Sequence, residues 1–485
     1  MKHKRKGNDI RKLEAFKRLI NLCLGIGGLA LEVLVFSYYW IRHFSGSLAV
    51  RYWWYGYLLQ IVIYAVLLLF LSNMYGGLRI GFLKNIEAIF SKLFATLVVN
   101  VIIYGQLSLM AMELFRLRFF VQMMLSQGLV VVVWIYVANW IYRLVFPPRR
   151  LLLVHGERPI LSIRNKFSDR KDKYEIVRCI QVKDGINNIC DEIAEGYEKG
   201  DYYAVVIWDI PVGYRNQLLK FCYAQSIRFY ITPKITDVIL RGSEELHLFD
   251  TPLLLTRENC LTIEQKALKR ILDVALSLLL LLLTSPFMLL TVAAIKLYDG
   301  GPVIYKQVRC TEGRRKFYIM KFRSMEPDAE KDGVARLAGK NDSRITPVGR
   351  FIRKVRIDEL PQLFNILKGD MSFIGPRPER PEIIDQYVEI MPEFVFRMKV
   401  KAGLAGYAQI YGKYNTAPYD KLKLDLTYIE NYSLWLDFKL ILLTLKILFW
   451  PDSTEGVETE QVTAFQEEHI RKNLKGERFP KKEEG

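Results

Sequence analysis

Four long apolar stretches in the first 150 residues constrain the fold of this chain more than any other feature. Each is long enough, at about 1.5 Å per residue in an α-helix, to cross the hydrocarbon core of a bilayer. They run from Leu19 to Ile41, Tyr52 to Leu71, Ala88 to Met110 and Val121 to Tyr142. The sequence therefore predicts a four-helix transmembrane domain over residues 1–148.

Basic residues flank these stretches on one side. The chain starts with "MKHKRKGNDIRK", Arg79 and Lys84 lie between the second and third stretches, and "RLVFPPRR" follows the fourth. Because positive charge collects on the cytoplasmic side, both ends of this domain are expected inside. The first stretch is too long for a cleaved signal peptide, so we expect it to remain as an anchor.

The formal charge of +18 predicts anionic partners. A membrane surface or a phosphorylated substrate fits this charge better than nucleic acid, because no helix-turn-helix, RNP or zinc-finger pattern accompanies it. The six cysteines contain no CxxC pair, which disfavours a disulfide framework or a zinc site. Glu32 interrupts the first apolar stretch and predicts a buried polar contact within the bundle; a proton or lipid contact is the alternative.

Residues 149–255 alternate between strand-like and helix-like segments. "RLLLVHG", "YEIVRCI", "YYAVVIWDI" and "IRFYIT" read as strands, with helices near Ile189 to Lys199 and Tyr214 to Ala224. Such alternation predicts a parallel, Rossmann-like α/β module. Its first turn reads "VHGERPI" rather than GxGxxG, so an intact dinucleotide motif is missing. A structural or oligomerising role is therefore favoured over a ligand sensor.

A fifth apolar stretch, about residues 270–296, is also long enough to span a bilayer. A fifth crossing would place the basic segments that follow it outside, against the positive-inside bias. Ser285 and Pro286 lie in its middle, where proline removes an N–H donor and a serine hydroxyl can bond the freed carbonyl. We therefore predict a re-entrant helix that turns at this pair; an ordinary kinked span is the alternative.

Asp358 and Glu359 stand side by side within a strongly basic region. Adjacent residues on a helix point about 100° apart, so the two carboxylates are expected to take separate tasks. One carboxylate can attack phosphorus while its neighbour holds Mg²⁺ on a diphosphate. An Asp-Glu pair that merely opens a helix remains a second interpretation, because the helix dipole stabilises acids there. All five histidines lie outside this region, which disfavours a His-dependent triad.

Residues 265 to 450 resemble the bacterial sugar transferase family, the monotopic phosphoglycosyl transferases. The resemblance is carried by "KRILDVALSLLLLLLTSP", "KFRSM", "RIDELPQLFNILKGDMSFIGPRP" and "GLAGYAQIYGKYN". The segments ahead of this block resemble the large family members that begin capsule, exopolysaccharide or O-antigen synthesis. In the family, the re-entrant helix turns at a Ser-Pro pair, which Ser285 and Pro286 match.

This resemblance implies a hexose 1-phosphate transfer from a UDP-hexose to undecaprenyl phosphate, with release of UMP. It implies Asp358 as the nucleophile and Glu359 as the Mg²⁺ ligand. The cations that match the family's phosphate and uridine contacts are Lys321, Arg323, Arg353 and Arg377. Where many family members read Gly-Leu-Thr-Gly-Trp, this sequence has Ala405 in place of Thr and Tyr407 in place of Trp. The resemblance therefore implies nothing about the sugar pocket.

The expected fold is thus a multidomain membrane protein with a four-helix transmembrane bundle, a Rossmann-like module and an α/β catalytic domain. That domain would cover residues 264–470, and a charged tail would cover 471–485. The segment "LKLDLTYIENYSLWLDFKLILLTLKILF" is expected to form amphipathic interfacial helices, with a buried core helix as the alternative. We expect it to face the cytoplasm from the bacterial inner membrane, in contact with membrane lipids. A homodimer, a UDP-releasing glycosyltransferase and a silent assembly scaffold all remain open.

Overall fold

The computed structural model describes residues 16–45, 54–156, 160–182, 186–248, 250–256, 261–326, 342, 344–412 and 416–448. The predicted tail, 471–485, lies outside these residues. The chain divides into two compact units between Thr232 and Pro233.

Four long helices begin the first unit. They are α1 (Lys17–Tyr39, continued by a π-helical turn, Trp40–Phe44), α2 (Trp54–Met74), α3 (Asn85–Ala111) and α4 (Leu117–Val145). Helices α3 and α4 extend beyond both ends of their predicted apolar stretches, and α2 begins at Trp54 and continues three residues past Leu71. Leu34, Leu125 and Leu129 are among the large apolar side chains that these helices leave exposed.

Five helices among the described residues are long and apolar enough to cross a membrane. They are Lys17–Phe44, Tyr55–Met74, Asn85–Ala111, Leu117–Val145 and Ile263–Asp299. Apolar surface on this scale requires a lipid environment rather than water. The chain is therefore a membrane protein.

Glu32 lies at the centre of a buried polar network in the first unit. Its carboxylate forms an ion pair with Lys92, at 3.0 Å, and accepts a hydrogen bond from Thr96, at 2.5 Å. Lys92 also donates to Ser72, at 3.0 Å, so three helices meet here. The predicted buried contact for Glu32 is confirmed.

A four-stranded parallel sheet follows the helices, with the strand order β2-β1-β3-β4. Its elements are β1 (Arg149–His155), α5 (Ile160–Ser168), β2 (Tyr174–Gln181), α6 (Ile186–Lys199), β3 (Ala204–Trp208), α7 (Val212–Ala224) and β4 (Phe229–Ile231). Strands β1 and β3 are almost fully buried, as expected for a parallel sheet with helices against it. The predicted parallel α/β module is confirmed for these residues.

The second unit begins with α8 (Ile235–Arg241) and a hairpin of β5 (Glu244–Leu248) and β6 (Thr251–Leu255). Residues 233–255 therefore lie in the second unit, although the sequence groups them with the module. The remaining elements are α9 (Ile263–Asp299), β7 (Ile304–Cys310), β8 (Lys316–Phe322), α10 (Pro347–Lys354), α11 (Gln362–Lys368), β9 (Met371–Ile374), α12 (Pro381–Ile390), β10 (Ala402–Ala405), α13 (Tyr407–Tyr411), α14 (Pro418–Glu430) and α15 (Leu434–Leu448). Strands β7 and β8 pair antiparallel, and β9 and β10 pair parallel.

The fifth apolar stretch forms the single helix α9, which continues through Pro286. Proline at this position cannot donate to the carbonyl of Leu282, four residues earlier. The hydroxyl of Ser285 donates to that carbonyl instead, at 2.9 Å. The serine thus satisfies the acceptor that the proline leaves open, at the pair where the sequence predicts the re-entrant turn.

The beginning of α9 is fastened to the α/β part of the second unit by charged side chains. Lys269 donates to the carbonyl of Ile374, at 3.0 Å, and pairs with Asp437, at 2.5 Å. Asp273 accepts a hydrogen bond from the backbone N–H of Phe373, at 3.0 Å. These contacts join the helix to strand β9.

The end of α9 contacts the same unit through different elements. Ile295 is buried against Phe322 of β8 and Ile352 of α10. Asp299 forms an ion pair with Arg323, which follows β8. Both ends of this apolar helix therefore pack against the second unit.

The predicted interfacial helices divide into two kinds. Helix α14 buries Leu422, Asp425 and Tyr428, so it is a core helix rather than a surface helix. Helix α15 exposes Trp435 and Phe438, whose rings stack at 5.6 Å between centroids. The interfacial prediction was wrong for α14, because its polar side chains serve buried hydrogen bonds.

We predict that Lys92→Met lowers the stability of the protein by about 3 kcal/mol, because it leaves the buried Glu32 carboxylate without its ion-pair partner. The thermal unfolding midpoint of the detergent-solubilised protein measures this effect. The double variant Glu32→Gln/Lys92→Met should lose less than the single variant. A single variant as stable as the unmodified protein would show that the pair contributes nothing.

Candidate functional site

The Asp358–Glu359 pair lies in a short 3-10 turn between α10 and α11. Thr346 caps α10 by accepting from the backbone N–H of Gly349, at 2.9 Å. Arg356 then adopts the left-handed conformation, with φ 57°, and the 3-10 turn Ile357–Glu359 follows directly. With three residues per turn, successive side chains diverge by about 120°, so the two carboxylates point in different directions.

Glu359 is held between two cations from different elements. Its Oε1 atom lies 2.8 Å from Nζ of Lys321 on β8 and 3.2 Å from Nη2 of Arg377, which follows β9. Burial by itself would raise the pKa of Glu359, but Lys321 and Arg377 hold it well below its usual range. The carboxylate therefore stays ionised at any pH at which the protein works.

Asp358 has the opposite electrostatic character. Its side chain is buried, with 9% of its surface exposed. Burial and the negative charge of Glu359 raise its pKa to about 6, against the opposing effects of Lys321, Arg353 and Arg356. Two adjacent carboxylates thus differ widely in basicity, which is how a site assigns separate tasks to two similar groups.

Of the four predicted phosphate-binding cations, the structure brings Lys321 and Arg377 into contact with the pair. Arg353 on α10 is near enough to lower the pKa of Asp358 through its charge. Arg323 is buried and forms an ion pair with Asp299. A Cβ atom at Gly301 would lie 2.3 Å from Nη1 of Arg323, so the guanidinium packs directly against the backbone after α9.

The loop that carries Arg377 depends on close backbone packing. A Cβ atom at Gly375 would lie 2.3 Å from the carbonyl oxygen of Lys401, and one at Gly403 would lie 2.1 Å from the nitrogen of Gly375. Only glycine allows β9 and β10 to approach this closely where the loop begins. Ala405, one of the departures from the family pattern, contributes its carbonyl oxygen, which accepts from Gly375 at 2.9 Å.

A buried ionic network holds the loop that carries Arg377. Arg397 donates to the carbonyl of Arg377, at 3.0 Å, and pairs with Asp425, at 2.7 Å. Glu379 pairs with Lys421, at 2.6 Å, and lies 3.5 Å from Arg397. Sequence reasoning missed this network, because its members lie on separate elements and share no spacing pattern.

Carboxylates at this site have the chemistry that Mg²⁺ requires. Among the residues that the structure describes, no group of three or more His, Cys, Asp or Glu side chains could hold a metal ion by itself. Mg²⁺ usually takes only one or two protein carboxylates and completes its shell with water and substrate phosphates. The ionised Glu359 beside Asp358 fits that mode of binding.

Comparison with known proteins gives a consistent result for the second unit. The family model for the bacterial sugar transferases matches residues 264–451. A UDP-N-acetylgalactosamine-undecaprenyl-phosphate N-acetylgalactosaminephosphotransferase of Aeromonas hydrophila is 44% identical over 184 residues, which cover 37% of this chain and 43% of that protein. A UDP-glucose:undecaprenyl-phosphate glucose-1-phosphate transferase of Klebsiella pneumoniae is 36% identical over 272 residues, or 54% of this chain and 56% of that protein.

The match thus spans only about half the length of these two relatives. A shorter relative is covered almost completely. The uncharacterised sugar transferase EpsL of Bacillus subtilis is 41% identical over 199 residues, which are 41% of this chain and 94% of that protein. The chain therefore belongs to the bacterial sugar transferase family.

Proposed function

We propose that this protein transfers a hexose 1-phosphate from a UDP-hexose to undecaprenyl phosphate and releases UMP. The observation that carries the proposal is the pair itself: an ionised Glu359 between Lys321 and Arg377, beside a buried Asp358. Relatives named as UDP-glucose:undecaprenyl-phosphate glucose-1-phosphate transferases in Klebsiella pneumoniae and Escherichia coli support it. The product would begin the synthesis of an exopolysaccharide, capsule or O-antigen.

The first half-reaction uses Asp358 as the nucleophile. A bond forms between its carboxylate oxygen and the β-phosphorus, and the bond from that phosphorus to the bridging oxygen breaks, so that UMP leaves with this oxygen. The raised pKa of Asp358, about 6, makes it a more basic nucleophile than an exposed aspartate while it remains largely ionised at neutral pH.

In the second half-reaction, an oxygen of undecaprenyl phosphate attacks the same phosphorus. The bond to Asp358 breaks, the carboxylate is restored, and the hexose is left on a lipid diphosphate. Lys321 and Arg377 would stabilise the negative charge that the phosphoryl oxygens carry in both transition states. Mg²⁺ bound through Glu359 would neutralise further charge on the diphosphate.

We also propose that α9 is re-entrant and that the second unit faces the cytoplasm, where UDP-sugars are made. Folded strands and polar loops cannot lie in lipid, so one compact unit lies on one side of a membrane. Both ends of α9 contact that unit. Near its start, Lys269 donates to a carbonyl of β9, and near its end, Ile295 packs against β8 and α10. This arrangement supports a helix that enters and leaves the membrane on the same side.

Product analysis tests the proposed reaction. We expect the purified protein to release UMP when it is given undecaprenyl phosphate and one member of a panel of UDP-sugars, because the bond broken lies between the two phosphates. Release of UDP instead would identify a conventional glycosyltransferase. A complete absence of turnover with every UDP-sugar would support the scaffold interpretation.

Substitution of the acidic pair tests the residue roles. Asp358→Asn should abolish both turnover and the radiolabelled phosphosugar adduct, because an amide cannot form the acyl phosphate bond. Glu359→Gln keeps the nucleophile, so it should retain some adduct while it weakens the Mg²⁺-dependent turnover. Adduct formation by Asp358→Asn at the rate of the unmodified protein would rule out this nucleophile.

Protease protection tests the re-entrant helix. With four crossings and a re-entrant α9, epitope tags at both the N-terminus and the C-terminus should resist protease added to spheroplasts and be cleaved in inside-out vesicles. The N-terminal tag serves as the internal control for membrane integrity. Cleavage of the C-terminal tag alone in spheroplasts would indicate a fifth crossing.

A further inference from the structure

Four basic residues in the first unit lie where the apolar helices end and the α/β module begins. Lys17 opens α1, Arg149 opens β1, and Arg170 and Lys173 lie between α5 and β2. The backbone N–H of Arg149 donates to the carbonyl of Lys173, at 2.7 Å, so these two residues are neighbours in space. We call these four residues the interface cluster.

Two members of the interface cluster share one neutral acceptor. Nη1 of Arg170 and Nζ of Lys173 each donate to the carbonyl oxygen of Phe82, both at 2.6 Å. Phe82 lies in the loop between α2 and α3, and its ring centroid is 4.6 Å from Nζ of Lys173. Two cations are thus held beside the same membrane-end loop.

Lys17 contacts aromatic side chains at the end of α4. Its Nζ atom lies 5.6 Å from the ring centroid of Tyr142 and 5.1 Å from that of Phe146. Tyr142 packs against the loop before Phe82, because a Cβ atom at Gly81 would lie 2.5 Å from its ring. Lys17 therefore contacts the end of α4, while Arg170 and Lys173 contact the adjacent loop between α2 and α3.

The cluster concentrates like charge in a half-buried position. Burial and the positive charges of Arg170, Lys17 and Arg149 together lower the pKa of Lys173 to about 7, against the opposing effect of Asp172. Arg170 pairs with Asp172, at 3.1 Å. A bound anion would offset this repulsion, and all four cationic side chains remain partly exposed to one.

We propose that the interface cluster binds the phosphate group of an anionic phospholipid. Lysine and arginine are the side chains that bind phosphate, and basic pockets at the cytoplasmic ends of transmembrane helices suit anionic headgroups. The position of the cluster favours a lipid over a free anion, because α1 begins at Lys17 and α4 ends at Val145.

Lipid addition to the full-length protein in neutral detergent tests this proposal. We expect phosphatidylglycerol to raise the thermal unfolding midpoint, and phosphatidylcholine or inorganic phosphate at the same concentration to leave it unchanged. Equal stabilisation by phosphatidylcholine would overturn the anionic site. Equal stabilisation by inorganic phosphate would overturn the lipid assignment and identify a free-anion site.

Single substitutions locate the effect. Lys173→Gln and Lys17→Gln should each weaken phosphatidylglycerol binding about five-fold, as expected for one cation near the membrane surface. Without lipid, Lys173→Gln should unfold at the same or a higher temperature than the unmodified protein, because repulsion is relieved. Lys220→Gln, an exposed site on α7, makes the same charge change and should alter neither measurement. Unchanged lipid binding in both cluster variants would overturn the proposal.

Discussion

The ion pairs of Glu359 with Lys321 and Arg377 connect three segments of the second unit that are separate along the chain. Lys321 lies near the end of β8, Arg377 lies in the loop that follows β9, and Glu359 lies in the turn between α10 and α11. One carboxylate oxygen therefore joins three structural elements. Its negative charge also acts on Asp358, whose pKa would be lower without it, so the same interaction sets both the geometry and the basicity of the pair.

The apolar helix α9 is part of this arrangement rather than an appended anchor. Its first turns are bound to β9 and α11, through Lys269 and through Arg270, which donates to the carbonyl of Ile366 at 2.5 Å. Its last turns are bound to β8 through Ile295 and Asp299. Lys321 lies on β8, and Arg377 follows β9 by three residues. Both ends of α9 therefore contact the strands next to the two cations that pair with Glu359.

The sequence predicted most of what depends on local pattern and less of what depends on tertiary contact. Helical apolar stretches and buried parallel strands follow from hydrophobicity and periodicity, and both are in the structure. The proximity of Lys321 and Arg377 to the pair followed from the family resemblance, since 56 residues separate them along the chain and no spacing rule joins them. Of the two cations in "KFRSM", Lys321 contacts Glu359 and Arg323 pairs with Asp299, and nothing in the motif distinguishes the two partners. The network around Arg397 and the burial of α14 arise only from packing.

That network has a thermodynamic consequence for any anion that meets Arg377. Ordering a flexible arginine on binding costs up to about 2 kcal/mol in rotamer entropy. Here Arg397 holds the backbone of Arg377, and Glu359 holds its guanidinium, before any ligand arrives. The conformational freedom has already been lost during folding, so a phosphate that binds Arg377 would not carry this entropic cost. The buried charges around Glu379 and Asp425 would thus affect ligand affinity through the position of Arg377, without contacting the ligand.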